Sequence, residues 1–131
     1  MNSKVAITQY QQLDLEARLA SANPHKLVSL LFQRAAVRLA AAEAAILRGD
    51  ISMRANEING VIEILSALRS ALDLDAGGEL AANLRDLYNY MDSRLLEANR
   101  RSSQAHISEV KGLLGELQQA WDTMPRLDGA S

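Results

Sequence analysis

Residues 23–49 read NPHKLVSLLFQRAAVRLAAAEAAILRG, and this stretch decides the fold class. Asn23 carries the side-chain oxygen that suits an N-cap. Pro24 suits the first helical position, because its missing N–H would have no partner there. Gly49 can take the left-handed conformation that closes a helix. Between them Val28, Phe32, Ala35, Leu39, Ala42 and Ile46 step by four and three residues in alternation, so they share one helix face. The stretch predicts a helix of roughly 35–40 Å at the α-helical rise per residue.

The same rhythm continues downstream. A second helix, capped by Asp50 or Ser52, carries Ile58, Val61, Leu65, Leu68 and Leu72, and stops before Asp75-Ala76-Gly77-Gly78. A third is expected to start near Gly78-Glu79, with Glu79 at the positive end of the helix dipole. Its stripe is Leu80, Leu84, Leu87, Met91, Leu95 and Ala98. A fourth, capped by Ser102 or Ser103, carries Ile107, Val110, Leu114, Leu117 and Trp121, and Pro125 limits its continuation. Short loops between long helices make neighbours antiparallel. The fold class is therefore all-α, an antiparallel up-down four-helix bundle over residues 23–124. Residues 1–22 form an arm or short helix whose Val5, Ile7, Tyr10, Leu13, Leu15 and Leu19 are apolar without a regular stripe. Residues 125–131 form a short polar tail.

Bulk properties narrow the function. A chain of 131 residues fits one domain with a core that needs no staples. It has no cysteine, which excludes disulfides, thiolate metal sites and a cysteine nucleophile. Its 14 Lys and Arg nearly balance 16 Asp and Glu, and the basic Arg100-Arg101 pair suits a helix C-terminus rather than a nucleic-acid face. No apolar run approaches the ~20 residues of a membrane span, and no long apolar segment follows Met1. The expectation is a soluble, cytoplasmic protein without nucleic-acid or membrane-inserted partners.

Signals for catalysis are weak. His25 and His106 stand at helix starts and read as surface or capping-region residues. Neither follows a glutamate at the three-residue spacing of a di-iron bundle, so no metal site is expected. His106, with Lys111-Gly112 after it, resembles a histidine phosphotransfer element. Lys111, however, is five positions on and about 140° round the helix, far from the histidine's face. Phosphotransfer through His106 is carried as the alternative function. No phosphate-binding loop is present. The sequence thus leaves an interaction surface. The helices hold more apolar positions than one seam needs, among them Leu27, Leu30, Leu31, Val37, Ile51, Met53, Ile62, Ile64, Tyr88, Tyr90, Leu96, Leu113 and Met124. A groove between bundle helices suits an apolar peptide. Gly60, Gly112 and Gly115 fall inside helices, and close approach of another backbone is one explanation.

An ordered set of segments resembles one family over about residues 5–121. Tyr10-Gln11-Gln12 resembles its N-terminal tyrosine element, and Ser21-Ala22-Asn23-Pro24 through Leu30-Leu31 its first helix start. Ala45-Ile46-Leu47-Arg48-Gly49-Asp50 resembles the end of that helix, and Ile62-Glu63-Ile64-Leu65 through Leu72-Asp73 the end of the second. The block from Gly77-Gly78-Glu79-Leu80-Ala81 to Leu87-Tyr88-Asn89-Tyr90-Met91 carries the most specific match, followed by Ala98-Asn99 and Ala120-Trp121. Together they resemble the FliS-type flagellin export chaperones. Phe32-Gln33 departs from the tyrosine-acid pair of many relatives.

The resemblance implies a non-catalytic, ATP-independent cytosolic chaperone without cofactor. It would bind the disordered C-terminal segment of flagellin, block premature polymerisation and assist delivery to the flagellar type III export apparatus. The export-gate protein and an anti-sigma factor are further candidate partners. The resemblance also implies that the N-terminal segment can cover part of the client surface, which makes Ile7 and Tyr10 a movable cap. The client groove is assigned to Leu65, Leu68, Leu72, Leu84, Leu87 and Tyr88.

Overall fold

The computed structural model describes residues 23–124, so the arm at 1–22 and the tail at 125–131 lie outside the described residues. Four helices fill this span: α1, Pro24–Arg48; α2, Ile51–Ser70; α3, Leu74–Arg101; and α4, Gln104–Thr123. The chain turns after each, and every helix packs on its sequence neighbours. Helix α1 also packs on α4, which closes the ring, and the diagonal pairs make no close backbone approach. This is the up-down-up-down bundle that the short loops predict.

The caps explain the boundaries. Asn23 Oδ1 accepts from the Lys26 amide at 3.3 Å, and Asp50 Oδ1 from the Met53 amide at 3.0 Å. Gly49, at φ 70°, lets the Asp50 amide return to the Ala45 carbonyl at 2.9 Å. The two adjacent serines divide the work at the last turn. Ser102 takes the left-handed C-cap of α3, at φ 52°, and Ser103 caps α4 through the His106 amide. Met124 is extended, as a residue before proline prefers.

The interior is apolar: apart from the Tyr88 phenol, no polar or charged side chain is buried among the described residues. Leu39, Ile58, Leu65, Met91, Leu95 and Ile107 are wholly inaccessible to solvent. On α1 the buried line is Phe32, Ala35, Leu39, Ala42 and Ala45, while the expected Val28 and Ile46 are half-buried. Small residues at these positions let neighbouring axes come close. One ion pair crosses each of the four interfaces. These are Arg38–Glu57 at 3.0 Å, Arg69–Asp92 at 3.0 Å, Arg94–Glu109 at 2.7 Å and Lys111–Glu43 at 2.8 Å. Partly exposed pairs are each worth only about 0.2–1 kcal/mol, so they favour this helix pairing while the core supplies the stability.

Four expectations need correction. Leu72, expected as the last member of the α2 stripe, lies past the helix end at Ser70 and is half-buried. Leu80 does not belong to the buried stripe of α3. It is 69% exposed, and Ala81 and Tyr88 face inward with Met91, Leu95 and Ala98. Lines through 80–84–87 and 81–84–88 both obey helical spacing, and the bundle selects the second. The start of α3 also differs. A turn from Leu74 to Gly77, capped by Asp73, precedes the main helix and joins it across a bend at Gly78. At Gly60 it is a side chain, not a backbone, that comes close. A Cβ there would lie 2.4 Å from the Arg38 guanidinium, whereas Gly112 and Gly115 face open space.

Candidate functional site

The described chain ends and the α2–α3 connection meet at one end of the bundle, and there, among the described residues, the core opens. An apolar pocket of about 310 Å³ lies between all four helices. Val28 and Phe32 of α1 and Leu68, Ala71 and Leu72 at the end of α2 form two walls. Leu80, Leu84 and Tyr88 of α3 form the third, and Leu117, Ala120, Trp121 and Met124 at the end of α4 the fourth. Pockets of this size and lining accept apolar groups.

A reciprocal contact between α1 and α4 fixes one wall. The His25 and Trp121 rings stack at 4.8 Å and 17°. Trp121 Nε1 donates to the His25 carbonyl at 3.0 Å, and His25 Nε2 donates to the Trp121 carbonyl at 3.1 Å. A carbonyl can only accept, so Nε2 carries the proton, and the buried Nδ1 has no hydrogen-bond partner among the described residues. Ser29 Oγ donates to Asp122 one turn along, at 3.2 Å. Trp121 is thereby held with its ring against the pocket. On the α3 wall, burial pushes the Tyr88 phenol above its ordinary pKa.

A larger groove of about 740 Å³ runs between α1 and α2. Its lining includes the charged Arg38, Glu57 and Glu63, and Arg38 lies across Gly60 to reach Glu57. The Arg38–Glu57 ion pair in its lining makes it a poorer receptor for an apolar segment than the end pocket.

Four of the residues assigned to the groove from sequence, Leu68, Leu72, Leu84 and Tyr88, come together around the end pocket. Leu65 is wholly buried, and Leu87 is half-buried and packed on the core; neither lines the pocket. Ile7 and Tyr10 lie outside the described residues. Sequence reasoning missed the α1 and α4 walls. Val28, Phe32, Leu117 and Trp121 had been placed in core stripes, and no local signal links His25 to a tryptophan 96 positions away.

The alternative centre is otherwise engaged. His106 Nδ1 lies 2.7 Å from Ser103 Oγ, and Lys111 is turned to Glu43 on α1. Among the described residues, no three His, Asp or Glu side chains are grouped to hold a metal ion. No helix there is long and apolar enough to cross a membrane.

Comparison with known proteins bears on this arrangement. The family described as "Flagellar protein FliS" matches residues 6–127. A flagellar secretion chaperone of Pseudomonas aeruginosa, FliSB, is 44% identical over 122 residues, covering 93% of this chain and 97% of the relative. The flagellar secretion chaperone FliS of Salmonella typhimurium is 38% identical over 122 residues, covering 92% and 90%. That of Vibrio cholerae is 30% identical over 120 residues, covering 92% and 88%.

Proposed function

Because this chain belongs to the FliS family of flagellar secretion chaperones, we propose that it binds the disordered C-terminal segment of flagellin without catalysing a reaction. In this role it acts in the cytosol, keeps flagellin from polymerising and helps to present it to the export apparatus. The export-gate protein and an anti-sigma factor are candidate further partners. The observation that carries the proposal is the apolar pocket at the end of the bundle. An extended or helical client segment brings apolar side chains to such a pocket at helical or alternate spacing. A disordered client loses entropy on ordering, so affinity has to come from buried apolar area.

Leu80 gives a clean test, because it stands on the rim and its exposed side chain supports little of the core. Leu80→Glu is expected to weaken binding of a peptide from the flagellin C-terminal segment at least tenfold while leaving the thermal midpoint unchanged. Undiminished affinity would place the client elsewhere on the bundle.

The arm that carries Ile7 and Tyr10 is part of the same proposal, as a cap that competes with the client. A cap stabilised by about 1.4 kcal/mol weakens apparent affinity about tenfold. Tyr10→Ala should therefore change client affinity, measured by calorimetry, without unfolding the bundle. Equal affinity for the two proteins removes the cap.

A further inference from the structure

The inward line of α3 is Ala81, Leu84, Tyr88, Met91, Leu95 and Ala98, stepping by three and four. Extended backwards at the same spacing, it passes through Gly77 and reaches Leu74. Leu74 is therefore in register with the buried face. Yet it is 46% exposed, because the chain bends at Gly78, whose φ of 55° and ψ of −130° lie outside the helical region. The turn before the bend is capped independently by Asp73, and every residue from Asp73 to Leu80 is exposed. The pocket opens beside it, with Leu72 and Leu80 on its walls.

We propose that residues 74–77 are a flap on the end pocket. When α3 straightens through Gly77-Gly78, Leu74 swings into line with Ala81 and Leu84 and covers the pocket; when α3 bends, the pocket opens. Two opposing preferences make the flap bistable. Burial of Leu74 and continuous helical hydrogen bonding favour the straight form. Two adjacent glycines disfavour helix and leave Gly78 free to take the bent conformation. The bend also needs glycine at both positions. A Cβ on Gly77 would lie 2.7 Å from the Ala81 Cβ, and the Gly78 conformation is one that L side chains avoid. In a straight helix, side chains four apart are about 5–6 Å apart, so both positions accept alanine. Alanine at 77 and 78 therefore penalises the open form alone.

The effect on client binding rests on the pocket being the client site, and the test separates the two claims. In full-length protein carrying Gly77→Ala and Gly78→Ala, residues 74–78 should take helical ¹³Cα shifts. Leu74 methyl groups should show contacts to Leu84, Trp121 or Met124 by NMR. Affinity for a peptide of the flagellin C-terminal segment should fall about tenfold, in proportion to the open fraction. Adding Leu74→Ser to that protein should restore wild-type affinity, since a serine gains little by covering an apolar pocket. A straightened segment with unchanged affinity, or failure of Leu74→Ser to rescue, overturns the flap as a regulator of the site. If wild-type protein does not bind the peptide, the client reading fails. The flap then stands or falls on the Leu74 contacts to the pocket in the alanine variant.

Discussion

Trp121 sits where it does because its indole and backbone both answer His25. Each residue gives the other a donor and an acceptor, so the first turn of α1 and the last of α4 are joined by two hydrogen bonds and a ring stack. Trp121→Phe keeps most of the apolar wall and deletes one bond. The expected cost is about 1 kcal/mol in urea unfolding, the usual net value of such a bond. No measurable loss would mean that the indole N–H finds water as good a partner. Elsewhere Glu109 accepts from Tyr90 and Arg94, and these bonds hold its carboxyl below the ordinary value of 4.5. Glu97 is lowered in the same direction by Arg100. A depressed folded-state pKa contributes stability that is complete above the ordinary carboxyl range and is lost as pH falls through the folded value. Both side chains keep about a third of their surface in solvent, so the contribution is small and screened by salt. Glu109→Gln should therefore flatten, without abolishing, the acid limb of stability against pH below about 4.5. An acid limb identical to wild type would contradict the assignment. None of these partnerships was legible in the sequence, because each joins residues from different helices or depends on side-chain direction.

Helices were the most legible level. Asn23-Pro24 and Arg48-Gly49 marked the two ends of α1, and Asp50 was one of two candidate caps for α2. Such signals act within one turn, which is why sequence carries them. The stripe on α2 was legible for four of its five members: Ile58, Val61, Leu65 and Leu68 are buried, while Leu72 lies past the helix end at Ser70 and is half-buried. The start of α3 was not. Gly77-Gly78 read as a chain break, whereas helical turns lie on both sides of the bend. Two apolar lines at helical spacing overlapped on α3, and only the position of the neighbouring helices could choose between them. Leu95, wholly buried on the chosen line, gives the energetic check. Leu95→Ala should cost about 2–5 kcal/mol in chemical denaturation, the range for a buried leucine whose cavity cannot fully collapse. A cost below 1 kcal/mol would mean that the bundle is more loosely packed at that layer than the structure has it.

At the scale of the molecule, loop length dictated topology. Turns of a few residues leave no room for crossover connections, so the antiparallel ring follows once four helices are accepted. The candidate site was half legible. Its α2 and α3 walls follow from apolar positions near the Gly-Gly turn. Its α1 and α4 walls depend on a closure of the ring that no local pattern encodes. Leu65 and Leu87 show the limit from the other side, since apolar spacing marks inward residues without saying how far along the bundle the core stops being filled. The resulting picture is a four-helix bundle with an ion pair across each interface and, among the described residues, an apolar pocket at one end.

The central claim is that this open end receives an apolar client segment. Calorimetric titration of the protein with a peptide from the flagellin C-terminal segment, repeated at several temperatures, tests it most directly. The account predicts saturable one-to-one binding with a negative heat-capacity change, the mark of apolar burial. Absence of binding by folded, helical protein, or binding without a heat-capacity change, would contradict it.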